Sequence, residues 1–97
     1  MAWEADRLDT AARALQGGAD RLDGSIRRLR WRLEQEICQG ARGWKGPAAD
    51  AFWRNTEARS SRMQRASRSM RMIAEQMRRA ARDIRHEEQQ RRLARHR

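Results

Sequence analysis

The sequence predicts an all-α protein: an antiparallel two-helix hairpin that dimerises with a second hairpin into a four-helix bundle. Three observations carry this. Valine and tyrosine are absent, while the helix formers Ala, Leu, Met, Arg, Glu and Gln dominate the 97 residues. Apolar residues recur at alternating steps of three and four in both halves of the chain, the spacing of a heptad seam. The single proline, Pro47, lies between those halves, just after Gly40, Gly43 and Gly46.

The first helix is expected over about residues 3–40. Its seam is Ala5, Leu8, Ala12, Leu15, Ala19, Leu22, Ile26, Leu29 and Leu33. Gly17, Gly18 and Gly24 each cost roughly 1 kcal/mol relative to alanine, but the seam runs through them, so one helix is expected rather than two. Glu36 interrupts the register and Ile37 resumes it one place later. A turn follows over about 41–46, where Gly40 or Gly43 suits the left-handed residue that closes a helix. Pro47 fits the first position of helix 2, and Asp50 complements the dipole of its first turn.

Helix 2 is expected over about 47–90. Its seam is read as Ala49, Phe52, Thr56, Arg59, Met63, Ala66, Met70, Ile73, Met77, Ala80 and Ile84. Beyond Ile84 the positions become Glu87 and Arg91, and residues 91–97 are expected to fray. So short a connection makes the helices antiparallel. Two helices alone leave a seam half exposed, which a second hairpin would cover. The expected partner interface comprises Leu22, Leu29, Phe52, Met63, Met70 and Met77. Trp31 and Trp53 lie off both seams and are expected as partner-facing anchors.

Charge sets the class of partner. The chain carries 23 Lys and Arg against 13 acids, a formal net charge of +10. Residues 1–43 hold eight Arg and seven acids, and residues 44–97 one Lys, fourteen Arg and six acids. The excess of about nine charges in the second half points to a polyanion or an acidic protein. Arginines 59, 62, 65, 68 and 71 sweep around helix 2 instead of forming one stripe. Such a helix reads a DNA groove poorly, so an arginine-rich nucleic-acid-binding protein is the alternative reading and an acidic partner the main one.

No apolar run approaches the roughly 20 residues of a membrane span, and the N-terminus lacks the basic and apolar regions of a Sec signal peptide. Cys38 is alone, which fits folding in a reducing cytoplasm. His86 and His96 stand in no recognisable catalytic or metal setting, and no Gly-rich phosphate loop follows a strand, so neither an enzyme nor a cofactor or small-molecule site is expected.

Trp44-Lys45-Gly46 is a W-x-G at the bend between two helices, near the middle of a chain of about 100 residues. With Pro47-Ala48-Ala49-Asp50-Ala51-Phe52 it resembles the WXG family of small type VII secretion proteins, the early-secreted-antigenic-target or ESX type. The resemblance covers nearly the whole chain. It implies a folded helical dimer made in the cytoplasm and then secreted, or one that escorts cargo, with the secretion ATPase as a further partner. The dimer partner would be a second WXG-type hairpin, an acidic one slightly ahead of a second copy, or the helical head of a larger toxin. Trp44 would plug the end of the hairpin, or form part of a composite surface shown to the machinery. The family's Y-x-x-x-D/E export signal falls on Ile84 to Glu88: the acid is present and the tyrosine is not.

Overall fold

The computed structural model describes residues 2–39 and 44–96, and among them all regular structure is helical. Helix α1 spans Ala2–Leu33. A single π-helical stretch follows over Glu34–Gln39. Helix α2 spans Pro47–Arg95. The two α-helices pack against each other as a hairpin.

Each feature has a local cause. α1 is continuous through Gly17, Gly18 and Gly24, as its unbroken seam predicts. The π-helical stretch lies where the heptad register slips by one residue at Glu36. A π turn holds one residue more than an α turn, so the helix absorbs the slip without ending. Gly40 and Gly43, expected to close helix 1, lie outside the described residues. Gly46 has φ +112°, in the region that favours glycine. Its carbonyl accepts the first bond of α2, from the Asp50 amide at 3.0 Å. Pro47 takes the first helical position, where no N–H is needed. At its far end α2 stays helical to Arg95 instead of fraying from residue 91. Arg, Gln, Leu and Ala are all good helix formers, and Arg92 and Arg95 suit the C-terminal dipole.

The chain forms two compact units, residues 1–18 with 69–97, and residues 19–68. In the first, Ala5, Ala12, Ala74 and Ala81 are buried. In the second, Ala19, Ile26, Ala49, Ser60 and Ser67 are buried. The second unit also fixes direction and register. Ser67 Oγ donates to Asp23 Oδ1 at 2.7 Å, and Arg30 donates to Ser60 Oγ at 3.1 Å. Seven residues forward on α1 correspond to seven backward on α2, the signature of an antiparallel pair in heptad register.

The inward seam of α2 differs from the sequence reading by one residue in alternate positions. Ser60, Ser67, Ala74 and Ala81 point inward, whereas Arg59, Ala66 and Ile73 are exposed. The cause is side-chain size. α1 presents Ala5, Ala12 and Ala19 at heptad spacing, and small residues on α2 let two backbones approach closely. The more hydrophobic row that includes Ile73 is left outside.

Candidate functional site

Each helix has two flanks beside its inward row. Four residues after each inward position lies a polar flank: Asp9, Gln16, Asp23 and Arg30 on α1, and Gln64, Arg71, Arg78 and Arg85 on α2. Three residues after lies an apolar flank: Leu8, Leu15, Leu22 and Leu29 on α1, and Met63, Met70, Met77 and Ile84 on α2.

The polar flanks meet. In the first unit Arg85 forks between two carboxylates, at 2.8 Å from Asp6 Oδ1 and 2.7 Å from Asp9 Oδ2. The hydrogen bond to Asp6, then that to Asp9, raises the Arg85 pKa above its usual value. Glu75 is shared by Arg78, Arg79 and Arg82 at 3.7, 3.6 and 3.4 Å. These pairs are exposed and each is worth little alone. They do orient the hairpin: because Arg85 and Asp9 lie on the same side, the two apolar flanks share the other.

That other side is not covered within either unit. Leu8, Leu15, Met70, Met77 and Ile84 of the first unit are half-buried. Next to them Ile73 is 44% exposed. In the second unit Leu22 and Met63 are half-buried and Leu29 is 38% exposed. Leu29 also joins Ser25, Arg28, Trp31 and Arg32 around an open, largely apolar groove. Among the described residues no large side chain is fully buried: apart from Ile26 the buried positions are small residues, and the other large apolar side chains sit at the flank.

The bend carries an aromatic trio. Trp44 and Phe52 lie with ring centroids 5.4 Å apart, and Phe52 meets Trp53 edge-on at 5.2 Å. Trp44 is nevertheless 44% exposed, so it caps Phe52 instead of filling a closed notch. Trp53 and Trp31, grouped together from sequence, separate here. Trp31 is 63% exposed on α1. Trp53 sits seven residues before Ser60, on the inward row itself, and is half-buried in a groove with Leu29, Arg30, Leu33 and Ser60. Its expected position off the seam followed from the one-residue offset in α2. Ile84 and Glu88, at the export-signal positions, are both half-buried on α2.

Of the arginine row, residues 59, 62, 65 and 68 are exposed and Arg71 is half-buried, in keeping with a row that turns around the helix. Among the described residues no group of three His, Cys, Asp or Glu side chains could hold a metal ion. No helix there is long and apolar enough to cross a membrane. Sequence reasoning missed the flanking role of Asp6, Asp9 and Arg85. The heptad offsets of Asp9 and Arg85 from Ala5 and Ala81 were the available signal. Comparison with protein-family models, curated proteins and solved structures yields no significant match.

Proposed function

We propose that this chain is a small WXG-type protein of a bacterial type VII secretion system, working through a folded helical dimer as a secreted substrate or as the targeting partner of one. The observation that carries this is the bend: Trp44-Lys45-Gly46 leads directly into α2, with Gly46 at a φ of +112° and Trp44 half exposed against Phe52. A positive φ explains why glycine stands two places after the tryptophan. Residual exposure leaves the indole available to another protein.

Function here is recognition, not chemistry. A second hairpin covers the apolar flank, and the secretion ATPase reads the composite that the folded dimer presents, the W-x-G bend beside a helix-2 tail. The expected tyrosine is replaced by Ile84, whose side chain is half-buried in the hairpin. The partner or the bend must then supply more of the signal.

The test is export from a bacterium with a working type VII system, expressing the chain alone or with the protein encoded beside it. The chain should reach the medium in the parent strain and stay in cells of a strain lacking the secretion ATPase. Trp44→Ala should stop export while far-UV circular dichroism stays unchanged. Appearance in the medium independent of the ATPase, or retention in cells under both expression conditions, would sink the reading.

A further inference from the structure

The outward face of α1 in the second unit holds a cluster that neither the hairpin nor its apolar flank uses. Residues 21–33 carry five arginines and one acid, Asp23, although the first half of the chain is nearly neutral as a whole. Asp23 is engaged by Ser67, and Arg30 is turned toward α2 by its bond to Ser60. The other four, Arg21, Arg27, Arg28 and Arg32, are exposed. Trp31 stands among them and is 63% exposed. Five residues after the buried Ile26, it lies about 140° from the inward row, at 100° per residue. Leu22 and Leu29 lie about 40–60° to the other side, so a partner on the apolar flank leaves the indole uncovered. Gly24 makes a recess in this face. A Cβ there would meet Arg28 Nη1 at 3.3 Å and Arg27 Nη2 at 3.9 Å, so two guanidinium groups converge over the glycine. Arg28 is held further by Ser25 Oγ, to which it donates at 3.2 Å. Two like charges so placed repel, and an anion between them relieves the repulsion. Long helical side chains lean toward the N-terminus, so the Trp31 ring covers the turn that carries Arg27 and Arg28. The groove it lines with Arg28, Leu29 and Arg32 thus sets a flat apolar wall beside paired cations.

We propose that this face binds single-stranded nucleic acid without sequence preference. A phosphate lies between Arg27 and Arg28 over Gly24, the adjoining base stacks on Trp31, and Arg21 and Arg32 take neighbouring phosphates. Guanidinium forks match phosphate oxygens, and an exposed indole supplies the sequence-tolerant stacking that single strands offer and duplexes hide. A membrane surface calls for a broad apolar sector with more than one anchor, and beside Trp31 this face has only Leu29 at its edge. An acidic peptide satisfies the arginines but leaves the indole unused. The site lies apart from the W-x-G bend and does not depend on the secretion reading.

Fluorescence anisotropy of a labelled oligothymidylate of about 12 nucleotides, titrated with the full chain at several salt concentrations, tests this. The native chain should bind, with affinity falling as salt rises. Trp31→Ala should weaken binding about tenfold and leave the salt slope unchanged, and Trp31→Phe should recover much of the loss because a phenyl ring still stacks. Arg27→Gln/Arg28→Gln should weaken binding and lower the salt slope by about 1.4, the value for two phosphate contacts on a single strand. Arg62→Gln/Arg65→Gln removes the same charge from α2 with no aromatic between, and should cost less than about threefold. All these positions are exposed, so circular dichroism should show unchanged helicity. Equal losses from the two arginine pairs, with none from Trp31→Ala, would mean diffuse attraction between charges and overturn the site. Binding confined to phosphatidylglycerol vesicles, or no binding of the oligonucleotide at low salt, would overturn it as well. None of these outcomes bears on export, which its own experiment decides.

Discussion

Gly46 and Trp44 are neighbours in one motif with different physical duties. Gly46 is required by its backbone, because φ +112° is strained for any residue with a Cβ. Space is not the limit, since a Cβ there would meet nothing within 4 Å. Gly46→Ala should therefore cost about 1–2 kcal/mol, purely from backbone strain. Trp44 behaves in the opposite way. A fully buried tryptophan loses about 3–5 kcal/mol on truncation to alanine. Trp44 is 44% exposed and rests on one ring, so Trp44→Ala should cost less than Gly46→Ala would suggest for so large a side chain, about 1 kcal/mol. Urea unfolding of both variants checks the pair. A loss above about 3 kcal/mol for Trp44→Ala would mean that the indole is a structural plug after all.

At the scale of the element, α1 was legible from sequence and α2 only by half. In α1 the hydrophobic residues and the small inward residues belong to one seam, so periodicity finds both. In α2 the inward row is Ser60, Ser67, Ala74 and Ala81, and a hydrophobicity pattern passes over it toward Ile73. Close helix approach is a steric property, and serine and alanine carry little of it in their hydropathy. The serines are also satisfied by partners that only the pairing supplies, Asp23 and Arg30. The same offset explains why the sequence pattern places Trp53 off the seam. The slip at Glu36, by contrast, was visible in the sequence as a register shift and takes form as the π-helical stretch Glu34–Gln39. This reading predicts a clear asymmetry. Ala74→Leu inserts a large side chain at a fully buried position and should cost about 1–3 kcal/mol. Ala66→Leu, eight residues earlier on the exposed row, should cost less than about 0.5 kcal/mol. Equal effects of the two substitutions on thermal stability would restore the seam read from sequence.

For the whole molecule, the missing large core decides how stability must behave. Among the described residues the buried positions are alanines, one isoleucine and two serines, with no large side chain fully enclosed. Burial of alanine contributes little beyond its single methyl, whereas each half-buried Leu or Met flank residue offers about 1 kcal/mol more if another surface covers it. If a second hairpin covers the flank, as proposed above, much of the available hydrophobic stabilisation lies in association, and folding and dimerisation become one equilibrium. Stability then depends on protein concentration. A tenfold rise adds about 1.4 kcal/mol to the unfolding free energy of a dimer. For roughly 200 residues unfolding together, that raises Tm by about 3–5 °C. Circular dichroism melts at 2, 20 and 200 μM should show this progression, with Leu15→Asp lowering Tm most steeply at the dilute end. A Tm that does not move with concentration would show that each hairpin is stable by itself. The uncovered flank would then be a surface the folded monomer keeps free for a partner, and the bend would be read from a single chain.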